Sequence, residues 1–229
     1  MNVSVVVPGI WRLEFAVGQA YLCRSSRGLK LIDTGTAGAE HDILAAISEL
    51  GMDAGDLREI VATHYHDDHR GSLAALSARL PQATAIAHRL DAPVIRGDTI
   101  QPPPKLTPEE QPYFDAITPG VPAAPPAAVQ REVEDGAELE TGGVIVHVPG
   151  HTPGSIAALV PELGALFTGD TIAAMGDRPI MGVFNLDREA VKASIRRLAA
   201  LEFDVGCFGH GAPVVGNAQA AIAALARSL

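Results

Sequence analysis

Thr63-His64-Tyr65-His66-Asp67-Asp68-His69 follows the strand-like run Glu59–Thr63 and packs three imidazoles and two carboxylates into its last six positions. Imidazole nitrogen together with carboxylate oxygen suits zinc, iron or manganese, whereas calcium and magnesium prefer oxygen alone. With this chain's own composition, His-x-His-x-Asp-His arises by chance in roughly six of ten thousand such sequences. Four ligands this close do not all fit one tetrahedral ion. The i, i+2 pair His64 and His66 can face one ion while Asp68 and His69 turn toward a second. The competing reading is a polar loop of unligated histidines, but clustered imidazoles repel when protonated and need an organising partner.

Outward from this segment, short apolar strands alternate with amphipathic helices. Val3–Val7, Ala20–Cys23 and Leu29–Ile32 read as strands, the last running into Asp33-Thr34-Gly35. Glu40–Leu50 reads as a helix, because Ile43, Leu44, Ile47 and Leu50 recur at three- and four-residue spacing and Gly51 stops it. Ser72–Leu80 is predicted helical up to Pro81, and Thr84–Ala87 a short strand. Beyond the middle, Gln130–Glu134, Val144–Val148, Ile156–Val160, Ala165–Thr168 and Val205–Phe208 read as strands. Asp187–Leu201 and Ala218–Leu229 read as helices. Strands followed by helices in each half suggest sheets packed between helices.

The texture breaks between Pro93 and Pro126, where ten of the seventeen prolines fall. Proline this dense favours extended or turn conformations. The segment is either a surface excursion or a semi-rigid lid over a site, since long loops in compact domains are often functional.

Composition bounds the rest. The 229 residues carry 27 acidic and 17 basic side chains, a formal charge of −10, which argues against nucleic acid or an anionic membrane as the main partner. No run approaches the ~18–20 apolar residues of a membrane span, and Met1–Ile10 lacks a signal peptide's basic start. Cys23 and Cys207 are too few for a disulfide framework, which makes a reducing cytoplasm the default expectation. The length fits one catalytic domain, residues 1–229. Monomer and homo-oligomer both stay open.

Three more candidate ligands sit at strand ends beside glycine: His151 in Pro149-Gly150-His151-Thr152-Pro153-Gly154, Asp170 in Thr168-Gly169-Asp170, and His210 in Gly209-His210-Gly211. Glycine lets the backbone approach closely and aims its neighbour's side chain. Taken in order with the histidine run and Asp33-Thr34-Gly35, these motifs resemble the metallo-β-lactamase-fold hydrolases over nearly the whole chain. Within that family the resemblance is greatest to the glyoxalase II-like branch. It implies an α/β fold of four layers, an αβ/βα sandwich of two mixed sheets flanked by helices, with the site at the sheet edge. It further implies two divalent metal ions, zinc first and iron or manganese as alternatives. His64, His66 and His151 would hold one ion, Asp68, His69 and His210 the other, and Asp170 would bridge both. A metal-bridging hydroxide would be the nucleophile and Asp68 a proton shuttle, while Asp33 would orient the histidine loop.

Departures from the family's branches narrow the reaction. Metallo-β-lactamases generally lack a bridging aspartate where Asp170 stands. Flavodiiron proteins carry glutamate at the position of His66. Lactonases of this fold often place a tyrosine soon after the bridging aspartate, and Thr171–Met175 contains none. Glyoxalase II proper adds a basic C-terminal region, whereas this chain ends 19 residues after His210. The expectation is therefore a binuclear hydrolase of a small-molecule ester, lactone or thioester. A mononuclear iron persulfide dioxygenase is the alternative, with β-lactamase and phosphodiesterase behind it.

Trp11, Met181 and Phe184 are candidates for a substrate pocket, the last two within an apolar loop spanning Met175–Asn185. His41, His88 and His147 are assigned surface or structural roles, Asp67 a local bond, and Cys207 a buried apolar role.

Overall fold

The computed structural model describes all residues, 1–229. Seven strands form the first sheet in chain order: β1 (Asn2–Val7), β2 (Ile10–Glu14), β3 (Gln19–Ser25), β4 (Gly28–Ile32), β5 (Leu57–Val61), β6 (Thr84–His88) and β7 (Arg131–Val133). The first four pair antiparallel and the last four parallel. The second sheet has the order β14-β13-β10-β9-β8, built from β8 (Val144–His147), β9 (Ile156–Val160), β10 (Ala165–Phe167), β13 (Val205–Cys207) and β14 (Val214–Val215). The remaining strands, β11 (Ile172–Met175) and β12 (Arg178–Met181), form a separate hairpin.

Strand alternation produces the layers. On β3, Tyr21 and Cys23 face the second sheet, while Ala20 and Leu22 face the helices α1 (Glu40–Glu49) and α3 (Leu73–Arg79). Along β9, Ile156, Ala158 and Val160 point inward, and Ala157 and Leu159 outward toward α6 (Arg188–Leu198) and α7 (Ala218–Ser228). Strands buried on both faces need apolar residues at consecutive positions, as both sheets show here. The order helix, sheet, sheet, helix is the expected sandwich. Cys23 and Cys207 are free thiols buried between the sheets, and burial pushes the Cys23 thiol up to about 12. No helix is long and apolar enough to cross a membrane.

This topology fixes where function can sit. Strands β4, β5 and β6 end at one edge of the first sheet. In the second sheet β8, β10 and β13 run in a common direction and also end together. The two edges are joined directly, because the Ile156 N–H donates to the Thr63 carbonyl at 2.9 Å. All the strand-end candidate ligands emerge there.

Two expectations need correction. The Met175–Asn185 stretch is not simply a loop: Ile172–Met175 pairs antiparallel with Arg178–Met181, turning at Gly176. The Pro-rich segment is also not extended throughout. It contains the helices α4 (Ala92–Arg96) and α5 (Gln111–Ile117), each with proline in its first turn, where the missing N–H has no intrahelical partner to lose. Ring stacking links the sheets further along the edge: His88, closing β6, lies 4.0 Å from His147 with planes 10° apart.

Two measurements test this packing. Phe167 is buried between the sheets, edge-on to Tyr21 at 5.4 Å. Phe167→Ala should cost about 3–5 kcal/mol in urea unfolding; a loss below ~1 kcal/mol would mean the sheets are not packed through it. His88 is held down to about 4, from an ordinary 6.5, by burial first and by His147 and Arg89 second. The unfolded chain therefore takes up this proton before the native state does. The stability tied to neutral His88 is complete above pH 6.5 and is lost as pH falls toward 4. His88→Phe should shrink the fall in urea midpoint between pH 7 and 5; an undiminished fall contradicts this.

Candidate metal centre

The histidine run begins where β5 ends. Thr63 lies two residues past the end of the strand, and Asp67–Arg70 form a single helical turn, α2, that carries Asp68 and His69. His151 follows β8 in a tight turn, Asp170 follows β10, and His210 follows β13. Gly209 has a steric role: a Cβ there would collide with Asp170 Oδ1 and His69 Cε1.

Seven side chains converge as three overlapping groups: His64, His66 and His151; His64, His69 and Asp170; Asp68, His69 and His210. His151 Nε2 and His66 Nδ1 are 2.9 Å apart. His69 Nε2 lies 3.2 Å from Asp170 Oδ1 and 3.3 Å from His210 Nε2. His210 Nε2 lies 3.2 Å from Asp68 Oδ2 and 3.3 Å from Asp170 Oδ2. Asp170 thus faces ligand atoms of both outer groups, its Oδ2 also lying 3.6 Å from His151 Nε2.

The chemistry of this set fits a cation. His64 Nε2 and Asp170 Oδ1 are buried and have no hydrogen-bond partner, which costs free energy unless a ligand takes them up. Burial, followed by the neighbouring histidines, drives His64 well below its ordinary value. Burial with His151 holds His66 at about 3. Both imidazoles are neutral, as metal ligands must be. His210 behaves oppositely: burial opposes its charge, but Asp170 and Asp68 lift it to about 10. Without a metal, protons in the second group balance the carboxylates that a cation would neutralise.

Ligand orientation comes from residues behind the cluster. Asp33 Oδ1 accepts from Thr63 N–H at 2.7 Å, and Oδ2 from the Thr63 hydroxyl at 2.8 Å, with His69 Nδ1 2.9 Å from Oδ2. Asp33 adopts φ +59°, unusual outside glycine, and so aims its carboxylate across the strand ends. Thr34 donates to the His69 carbonyl from both its N–H and its hydroxyl.

Two positions carry a role the sequence did not reveal. Asp91, fully buried after β6, accepts from Tyr65 N–H at 3.1 Å, the Thr152 hydroxyl at 2.6 Å and Gly154 N–H at 2.6 Å. It ties the loop of His64 and His66 to the turn of His151. Asn185 Oδ1 lies 3.1 Å from His151 Nδ1 and leaves Nε2 free to face the cluster. A buried side chain at Gly154 would strike Asp91, which explains the glycine.

A family model described as the metallo-beta-lactamase superfamily matches residues 14–210. The chain belongs to this superfamily. The uncharacterized protein YobT of Bacillus subtilis is 29% identical over 76% of this chain and 71% of its own length. A hydroxyacylglutathione hydrolase of Cereibacter sphaeroides is 32% identical over 73% of this chain, and the chain spans only 52% of that relative. Among solved structures, TTHA1623 in a di-iron-bound form superposes with TM-score 0.68 at 29% identity, covering 91% of this chain and 95% of that one. A B3 metallo-beta-lactamase with an active-site glutamic acid has TM-score 0.71 at 25% identity, covering 100% and 88%.

The remaining sequence candidates have the following places. Trp11 lies mid-strand in β2, half-buried against the helix-side core, and Met181 packs against the core beneath α6 and α7. Phe184 meets Phe114 of the Pro-rich segment edge-on at 5.2 Å. Asp67 pairs with Arg70 at 3.2 Å. Asp91→Ala should weaken zinc binding about 10–100-fold in equilibrium dialysis, as loss of ligand-orienting bonds typically does; unchanged affinity would show that the two loops hold their positions without it.

Proposed function

We propose that the chain is a binuclear metal-dependent hydrolase that cleaves a small-molecule ester, lactone or thioester. The observation carrying this reading is the Asp170 carboxylate, set between two ligand groups that are each complete. His64, His66 and His151 would hold one ion, Asp68, His69 and His210 the second, with Asp170 shared. Two divalent cations held by these residues would supply a water made nucleophilic near neutral pH and a means to polarise an electrophilic carbonyl.

The protein's own contribution is order and proton handling. Asp33 and Asn185 fix two of the imidazoles. Asp68 is positioned to move a proton: Oδ2 sits 3.2 Å from His210 Nε2 and 3.6 Å from His69 Nε2, at the solvent-facing side of the cluster.

Among the permitted substrates, a thioester is favoured. Hydroxyacylglutathione hydrolases match over about three quarters of this chain, and a fungal protein from Emericella nidulans, "Thioesterase pkgB", is 26% identical over 93% of it. The chain spans only 50% of the fungal relative, so its substrate does not transfer as a whole. Zinc is the expected metal. The di-iron neighbour makes iron the competitor.

Elemental analysis after chelator-free purification should give about two metal equivalents per chain; a reproducible single iron would favour persulfide oxidation instead. Asp170→Ala should lower metal content and reduce thioester hydrolysis by at least ~100-fold. Wild-type turnover by that variant would end the binuclear reading.

A further inference from the structure

The Pro-rich excursion departs after Gly97, which caps α4, and returns to that helix at Ala127, whose N–H donates to the Ile95 carbonyl at 2.9 Å. Most of its length is solvated, with Ile100 94% exposed. Glu110 is its one buried charged side chain, at 7%. Its Oε1 accepts from Phe184 N–H at 3.2 Å and Arg188 Nη1 at 2.7 Å, and its Oε2 from Thr107 N–H at 2.9 Å. Nearby, Lys105 N–H donates to the Asn185 carbonyl at 3.1 Å, and Phe114 packs edge-on to Phe184.

Three of these contacts, those to the Phe184 N–H, the Phe184 ring and the Asn185 carbonyl, fall on one short turn. Phe184 holds φ +60°, a conformation that a bulky residue keeps only when its surroundings enforce it. Asn185 comes next, completely buried, its amide donating to the Gly182 carbonyl at 2.6 Å and its oxygen facing His151 Nδ1. At the other end of the excursion, the Pro125 carbonyl accepts from Arg70 Nη1 at 3.0 Å. Arg70 Nε in turn donates to the carbonyl of Tyr65, between His64 and His66. The excursion therefore reaches both loops of the first ligand group at one remove, through Asn185 to His151 and through Arg70 to the Tyr65 carbonyl.

We propose that Glu110 is a positioning residue of the first metal site: by clamping the Phe184–Asn185 turn, it holds Asn185 where it orients His151. The Pro-rich segment is then part of the site's framework. This rests on the metal-centre reading above. If Glu110 only pinned a surface excursion, its removal would loosen residues 98–126 and leave His151 undisturbed.

The test is a double-mutant cycle on the full chain, reading zinc affinity by competition with a chromophoric chelator and amide exchange at Phe184 and Asn185. Glu110→Ala should weaken zinc binding by about 10-fold and speed exchange at both amides. Glu110→Gln, which keeps an oxygen for Phe184 N–H, should recover most of that loss. Glu109→Ala, removing the same charge from an exposed neighbour, should match wild type. In an Asn185→Ala background, Glu110→Ala should add less than about 2-fold, because the route to His151 is already cut.

Equal losses in both backgrounds, or wild-type affinity in Glu110→Ala, would overturn the proposal while leaving the metal centre intact. A wild-type chain that binds no zinc, iron or manganese would instead overturn the metal-centre reading, and this proposal with it. Should Glu110→Ala fail to fold, Phe114→Ala loosens the same turn without stranding a buried polar group, and the cycle is run with it under the same criteria.

Discussion

The Asp33 carboxylate, at the end of a strand buried on both faces, collects the N–H and hydroxyl of Thr63 and faces Nδ1 of His69. With those three contacts it determines how the histidine run leaves β5. Thr63 is the last residue before the first ligand, and His69 is the last ligand of the run, so one carboxylate fixes both ends of a six-residue arc. The left-handed backbone at Asp33 follows from the same need. An extended residue there would continue β4 and carry the side chain past the neighbouring strand end. A local conformational cost at Asp33 is offset by satisfying buried polar groups that have few other partners.

A second constraint is electrostatic. Imidazoles whose rings lie 4.2–4.7 Å apart repel as cations, and burial removes the water that would screen them. The cluster resolves this asymmetrically. The group of His64, His66 and His151 loses its protons, while His69 and His210 keep theirs against Asp68 and Asp170. One set thus presents lone pairs directly, and the other must exchange protons for a cation. The two groups behave differently because Asp68 belongs to one of them and Asp170 lies closer to His69 and His210 than to His151.

What the sequence disclosed, and what it did not, follows from the same physics. The ligands were legible because metal binding demands several particular residue types at short spacing, and because glycine must flank the ones that approach closely. Strand ends were legible from apolar runs that stop at polar residues. Asp91 and Asn185 were not, since each is a lone polar residue whose partners in the ligand loops lie 26 to 63 positions away. The β11–β12 hairpin escaped for a different reason. Its strands are only four residues each and include Pro179, so neither alternation nor β-propensity rises above a loop's. Density of proline suggested an irregular excursion, yet proline at a first helical turn is compatible with α5.

The two ligand groups each draw on both halves of the chain: His64 and His66 with His151, and Asp68 and His69 with His210. A metal could in principle be what docks the halves. The hydrogen bonds argue otherwise, because the edges are already joined by protein contacts at the site itself. Ile156 N–H reaches the Thr63 carbonyl, and Asp91 spans the two ligand loops. On the side of His210, Gln19 Nε2 donates to the carbonyls of Phe208 and Gly211, both at 2.7 Å, and the Tyr21 hydroxyl also donates to Phe208. Every one of these bonds involves a residue within three positions of a candidate ligand, and none uses a ligand's metal-facing atom. Protein contacts alone therefore join the two edges and hold the candidate ligands in place, so a cation taken up there would meet a site already assembled by the fold.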